Sequence, residues 1–175
     1  MMQRNELARR IRNIGFSCTR CGECCRGTDN LVMVSPGEIE RMRKETGLAA
    51  DSIAEPYPER IETGDGGSIT FEWALRKNKA GCRFFSDGHC ASYAARPWIC
   101  RTYPFMLEGE TLLVSDCPGT GKEISREEAW NLAGNLLQRR RAEQLEEEHV
   151  RSVLSASEIP PGCRVLVDGR GMKVL

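Results

Sequence analysis

Four thiols fall within eight residues, Cys18-Thr19-Arg20-Cys21-Gly22-Glu23-Cys24-Cys25, and this stretch constrains the chain more than any other. Three of them recur with a two-residue gap, and Cys25 adjoins Cys24. A Cys-x-x-Cys turn brings two sulfurs close enough to share one ion or one cluster. A Cys-x-x-Cys-x-x-Cys run with a distant fourth Cys wraps an iron–sulfur cluster. Neighbouring side chains do not readily face the same way. Cys25 is therefore expected to point away from Cys24, serving a second centre or the surroundings of the first.

Nine cysteines in 175 residues imply either a disulfide scaffold or a metal site, and the redox compartment decides between them. The residues before Cys18 begin basic but hold no apolar run of about 7–15 residues, as a secretory signal needs. No stretch approaches the roughly 20 apolar residues of a membrane span. The reading is an intracellular, cytoplasmic and reduced protein, with thiols as ligands and not bridges. The 25 Lys and Arg balance the 25 Asp and Glu, so there is no global electrostatic case for nucleic acid or an anionic membrane. Aromatics make up only 6% of the chain, which leaves most of the packing to aliphatic residues. The length fits one domain, or one with an appendage. Residues 1–122 read as a cysteine-cluster domain with an N-terminal helix. Residues 123–175 read as a helix and short hairpin packing on the same domain.

Leu7, Ile11 and Ile14 at i, i+4, i+7 predict a short helix over 5–14 that packs on the domain. The cysteine loop follows, to about Asn30, with Gly22 and Gly27 allowing tight folding and amides aimed at sulfur. Leu31–Val34 reads as a short strand. Ser35-Pro36-Gly37-Glu38 is a capping box with Pro in the first helical position, opening a helix that turns Ile39 and Met42 inward and ends at Gly47. Residues 48–60 read as irregular, because Pro56 and Pro58 interrupt regular structure. After a turn at 64–67, Ile69, Phe71, Trp73 and Leu75 alternate as one strand with one buried face. Arg76, Lys77 and Lys79 read as a solvated edge that discourages strand pairing. Ser125 and Glu128 form a second capping box, opening a long helix over about 126–153. Its stripe is Ala129, Leu132, Ala133, Leu136 and Leu137, with Arg139–Glu143 and Glu147–Arg151 as i, i+4 pairs. Arg139–Arg141 read as a solvated face. Pro160-Pro161-Gly162 breaks the chain, and the tail reads as a hairpin turning at Asp168-Gly169. Gly119-Thr-Gly-Lys122 is too short for a phosphate loop.

A second cysteine region spans Cys82 to Cys117. Ser86-Asp87-Gly88 reads as a hairpin turn uniting Cys82 and Cys90. A further hairpin around Glu108-Gly109-Glu110 returns Cys117-Pro118 to the centre. Cys-x-x-Cys-x-x-Cys-Cys is followed by Cys82-x-Phe84, then by Cys90-x-x-Tyr93-x-x-Arg96-Pro97-x-x-Cys100-Arg101-x-Tyr103-Pro104-Phe105, and finally by Cys117-Pro118. This order resembles the YkgJ-type cysteine-cluster family, known as CxxCxxCC, over residues 18 to about 120. The resemblance implies a zinc- or iron-chelating domain, often described as iron–sulfur-cluster-containing. A related cysteine motif occurs in flagellin lysine N-methylases, although at this length their whole architecture is not assumed.

The eight cysteines of that pattern, Cys18, Cys21, Cys24, Cys25, Cys82, Cys90, Cys100 and Cys117, are the candidate metal ligands. Eight thiolates match two four-ligand centres. One division sets Cys18, Cys21, Cys24 and Cys117 against Cys25, Cys82, Cys90 and Cys100; a single cluster with neighbouring redox thiols is the other. Cys163 lies outside the pattern, His89 reads as a turn residue facing water, and His149 has no role. Arg20, Arg26, Arg83, Arg96 and Arg101 flank the cysteines. They would offset thiolate charge or hold a substrate carboxylate or phosphate. Tyr93, Tyr103 and Phe105 read as packing around the centre, with Pro97 and Pro104 fixing turns.

The fold class is a small, irregular α+β domain stabilised by metal, with short β-hairpins and two principal helices. The favoured cofactor is an iron–sulfur cluster, 4Fe–4S, in a protein with a redox or accessory role and a redox or protein partner. A zinc-stabilised interaction module is the alternative, and a cluster-dependent modification enzyme akin to the flagellin methylases is the third reading. No Gly-x-Gly-x-x-Gly follows a strand, which weakens an enzyme built on a dinucleotide-binding fold.

Overall fold

The computed structural model describes residues 3–26 and 30–175. Gly27, assigned above to tight folding, lies outside the described residues. Helix α1, Arg4–Ile14, buries Leu7, Ala8 and Ile11 and ends at Gly15. After the cysteine loop, the strand expected over 31–34 is only Met33–Val34, β1. Helix α2, Pro36–Thr46, opens on the full capping box: Ser35 accepts from Glu38 N and Glu38 reaches back to Ser35. Gly47 closes α2 in the left-handed region at φ 70°.

Residues 48–60 are more regular than expected. A helical turn, α3 (Ala50–Ile53), runs into β2 (Ala54–Pro56), and Pro56 sits at the strand end, where it does not interrupt the ladder. After β3, Ile61–Glu62, the single strand expected over 69–75 is two. Glu72, at φ +66°, separates β4 (Ser68–Phe71) from β5 (Trp73–Leu75), and the two enter different sheets. The buried residues are Ser68, Thr70, Ala74 and Leu75, while Ile69, Phe71 and Trp73 are half-buried. The residues at 68, 70 and 74, not the apolar ones at 69, 71 and 73, face the interior most fully.

Lys77 does not cap a bare edge. Lys77–Asn78, β6, pairs with Gly81–Cys82, β7, and Arg76 pairs with Glu55 at 3.1 Å. The hairpin of β8 (Phe85–Ser86) and β9 (His89–Cys90) follows, then α4 (Trp98–Thr102), then the hairpin of β10 (Phe105–Glu108) and β11 (Thr111–Val114). Helix α5, Arg126–Ala156, carries the second capping box. The tail forms β12 (Arg164–Asp168) and β13 (Gly171–Val174). Strand β12 also pairs in parallel with β4, giving the order β13-β12-β4-β3, beside a three-stranded sheet β1-β5-β2.

The fold class is α+β. Among the described residues two apolar clusters stand out, beside the buried Val165, Leu166 and Val167 of β12. One gathers Val34, Ile39, Met42, Ile53, Leu75 and Phe84, with Cys82, Cys90 and Cys100 packed against it. The other joins α1 and α5 through Leu7, Ile11, Ala129, Ala133, Leu136 and Phe105. Arg139 departs from the solvated face expected of it. It is only 9% exposed, donates to Thr102 Oγ1 at 3.0 Å and pairs with Glu143 at 2.7 Å. Among the described residues no helix is long and apolar enough to cross a membrane.

Candidate metal centre

The cysteine loop is fixed by contacts to the second cysteine region. The amides of Cys25 and Arg26 both donate to the Gly22 carbonyl at 2.9 Å, and Cys82 N donates to the Cys25 carbonyl at 2.7 Å. Gly81 (φ +125°) permits this: a Cβ there would lie 2.3 Å from the Cys25 carbonyl oxygen. At Gly22 a Cβ would lie 2.2 Å from the Phe85 ring, so the loop rests flat on β8. Asp87 and Gly88, both at positive φ, turn the β8–β9 hairpin and seat Cys90 opposite Phe85. Helix α4 carries Cys100. The Cys117 turn is clipped to the residues before Cys18: Ser17 N donates to the Gly119 carbonyl at 3.0 Å, and Gly119 N donates to Cys117 Sγ at 3.4 Å.

These segments place Cys18, Cys21, Cys24, Cys25, Cys82, Cys90, Cys100 and Cys117 on the wall of one cavity of about 440 Å³. Phe16, Val32, Met42, Leu75, Phe84 and Ile99 line its apolar part. Arg20, Arg96, Arg101 and Tyr103 line it too. All nine cysteines are free thiols. Cys163 is elsewhere, packed against Gly67. Among the described residues no three His, Cys, Asp or Glu side chains are grouped to hold one ion as they stand. The arrangement is a ring of thiols around a shared space.

Cys24 and Cys25 do not diverge, as their adjacency had implied: their sulfurs are 3.8 Å apart. The turn over residues 23–25 takes the backbone out of the extended form that would send them to opposite sides. A tetrahedral ion with sulfur ligands at about 2.3 Å sets those sulfurs about 3.8 Å apart. The donor set is all thiol along the inner wall, which suits zinc, copper(I) or an iron–sulfur cluster.

The thiols are electrically unequal in the metal-free protein. The Cys24 thiol is pulled down to about 7, chiefly by its hydrogen bond with Cys25, against the effect of burial, with Arg96 assisting. Cys25 is pushed up by the same bond, by burial and by the charges of Cys24, Cys82 and Cys100. Burial raises Cys82, whose sulfur accepts from the amides of Phe84 and Phe85. Burial pushes Cys100 up to about 12, with Cys82, Cys24 and Cys90 adding to it. Burial also raises Tyr103, and the charges of Cys117, Cys24 and Cys21 reinforce it. The Cys24 charge is felt by Cys25, Cys82, Cys100 and Tyr103 alike.

The flanking arginines divide. Arg83 turns away to the Ser52 carbonyl, and Arg26 lies over the Phe85 ring at 5.5 Å. Arg96 and Arg101 face the cavity. His89 is exposed yet borders the cavity, with Nδ1 2.7 Å from the Asp87 carbonyl. Phe105 does not pack around the thiols; it is buried in the α1–α5 cluster against Phe16, ring centroids 5.8 Å apart. Tyr103 borders the cavity and donates from its hydroxyl to the Asp116 carbonyl. Glu38, read from sequence as a helix cap, also accepts from Trp98 N at 2.7 Å. Sixty residues separate that pair, and no local signal announces it.

The CxxCxxCC family model, described as "Putative zinc- or iron-chelating domain", matches residues 17–131. No curated protein and no solved structure matches the chain.

Proposed function

Because the chain belongs to the CxxCxxCC family of zinc- or iron-chelating domains, we propose that it carries an iron–sulfur centre on its eight clustered cysteines and serves a redox or accessory role. One observation carries the reading: thiols from the cysteine loop, two hairpins, α4 and the Cys117 turn all open onto one cavity. A cavity of about 440 Å³ has room for more than a single ion. Cys25, Cys82, Cys90 and Cys100 form one ligand group; Cys18, Cys21 and Cys117 form the other with Cys24. Such a cluster supplies one-electron transfer when bound. The chain's own part is to hold the thiols, to offset their charge with Arg96 and to screen them from water with Phe84, Ile99 and Met42.

Zinc is the second reading, favoured by the 3.8 Å separation of Cys24 and Cys25, which fits two thiolates on one ion. Anaerobic purification followed by iron, acid-labile sulfide and zinc determination separates the two. Iron and sulfide in matched amounts, with visible absorption that bleaches on reduction, support the cluster. Stoichiometric zinc in a colourless protein refutes it and makes the domain a structural module.

A further inference from the structure

Beside the thiol cavity, two guanidinium groups share one indole and a third stacks on a neighbouring phenol. Arg41 lies over the Trp98 ring at 5.9 Å and Arg101 at 5.3 Å. Both donate to the same acceptor, the Arg96 carbonyl, at 3.3 and 2.7 Å. The Arg96 guanidinium stacks on Tyr93, 3.5 Å from the ring centroid. One carboxylate, Glu38, stands close, 3.8 Å from Arg41, but its oxygens already accept from Ser35 and from Trp98 N. Arg41 Nε is buried with no hydrogen-bond partner among the described residues. Arg101 spends Nε and Nη2 on the Arg96 and Ala94 carbonyls, and Arg96 spends Nε on the Tyr93 carbonyl; the buried Arg41 Nε–H and the terminal nitrogens of Arg96 are the donors that suit an oxyanion, which accepts charge-assisted hydrogen bonds from guanidinium groups.

We propose that Arg41, Arg96 and Arg101 form a binding site for the carboxylate or phosphate group of a small molecule, at the wall of the thiol cavity. Arg96 and Arg101 border that cavity, so a ligand anchored by its anionic end can lie along the wall with its remainder over the apolar side chains. Arg41, bonded to the Arg96 carbonyl, contributes its buried Nε–H. The site is independent of which metal the thiols bind.

Titration calorimetry of the metal-loaded protein with inorganic phosphate, and separately with citrate, tests the site. Saturable binding of either is expected, weakening as salt is raised, and whichever anion binds tighter identifies the oxyanion class. Arg41→Gln and Arg96→Gln should each weaken it about tenfold, the loss of a charge-assisted hydrogen bond. Arg83→Gln removes the same charge from a side chain that faces elsewhere and should leave affinity unchanged. No saturable binding of either anion to the wild type, or equal weakening by all three substitutions, overturns the proposal. Loss of bound metal in folded Arg41→Gln, with anion affinity unaltered, also overturns it, because the guanidinium would then serve the thiolate charge. Circular dichroism of each variant verifies folding, and Arg41→Lys, which keeps the charge but not the fork, should bind with intermediate affinity.

Discussion

Glu38 accepts the backbone N–H of Trp98 at 2.7 Å, and Arg139 donates to Thr102 Oγ1 at 3.0 Å. Trp98 and Thr102 are the first and last residues of α4. An acidic group therefore meets the N-terminus of the helix bearing Cys100, and a basic group meets its C-terminus, the signs that the helix dipole favours. Both come from other helices and both are buried, at 7% and 9% exposure. The position of Cys100 is thus set by two charged tethers.

Glu38→Ala removes the α2 capping box and the tether to α4 together. A cap contributes about 1 kcal/mol and a hydrogen bond to a charged group about 1.5–3 kcal/mol. The variant is expected to lose about 2–4 kcal/mol in urea denaturation and to release metal faster to a chelator. Glu38→Gln, which keeps an acceptor for Trp98, should recover part of both. Equal metal retention in Glu38→Ala and wild type would show that α4 does not depend on this contact.

Arg139→Ala removes the charged donor to the buried Thr102 Oγ1, which keeps only its own bond to the Trp98 carbonyl, and should destabilise by about 1.5–3 kcal/mol. Arg141→Ala, at an exposed position of the same helix, should fall within about 0.5 kcal/mol of wild type. Comparison of their urea midpoints measures the difference directly.

Much of this architecture is local and could be read from the chain. The two Ser-x-x-Glu caps, the Gly47 stop, the α1 and α5 stripes and the Asp87–Gly88 and Gly109 turns each rest on residues within one turn of one another. What escaped depends on distant partners. The β4–β5 break at Glu72 hides in an unbroken alternating pattern, because nothing adjacent marks a positive φ at a glutamate. Strand β12 joins β4 across about 95 residues of sequence. Arg139 looks solvated until Thr102 is placed beside it. At the site, the motif order identified eight cysteines that share a cavity, but not the direction of Cys25, which the turn over residues 23–25 controls.

The 3.8 Å contact between the Cys24 and Cys25 sulfurs holds the Cys24 thiol down at a pKa of about 7 in the metal-free protein. Iodoacetamide should label Cys24 first, with a rate that rises through an inflection near that pH, since the thiolate is the nucleophile. Cys25, whose proton is held in the same bond, should label slowly. Cys25→Ser keeps a donor and should preserve the inflection; Cys25→Ala should move it upward. Peptide mapping by mass spectrometry reads both. An unchanged inflection in Cys25→Ala would place the cause outside the pair.

Cys100 titrates in the opposite direction. Burial raises its folded-state pKa to about 12, above that of an unfolded thiol, so the folded chain holds the proton longer than the unfolded one. The stabilisation from the neutral thiol is complete below about pH 9 and is lost as pH climbs toward 12. The metal-free protein should melt at progressively lower temperature over that window, and Cys100→Ala should flatten the dependence. Cys24 runs the other way, its thiolate form stabilising the fold increasingly between pH 7 and 9, so the melting curve should pass through a maximum near pH 9.

Gly81 offers a test of the centre that leaves every thiol in place. A Cβ at this position would lie 2.3 Å from the Cys25 carbonyl oxygen and 2.8 Å from Arg26 Cα, and both are backbone atoms that cannot rotate aside. Its φ of +125° is also one that side-chain-bearing residues avoid. Gly81→Ala must therefore push the cysteine loop off β7 and break the 2.7 Å bond from Cys82 N to the Cys25 carbonyl. The two cysteine regions then separate, although each keeps its own sequence. Metal content should fall well below wild type, with a stability loss of more than about 2 kcal/mol from the strained backbone and the lost hydrogen bond. Gly64→Ala, at a position where a Cβ meets nothing within 4 Å, should keep its metal. Full metal occupancy in Gly81→Ala would mean that the thiols on the two sides of this contact do not share a centre.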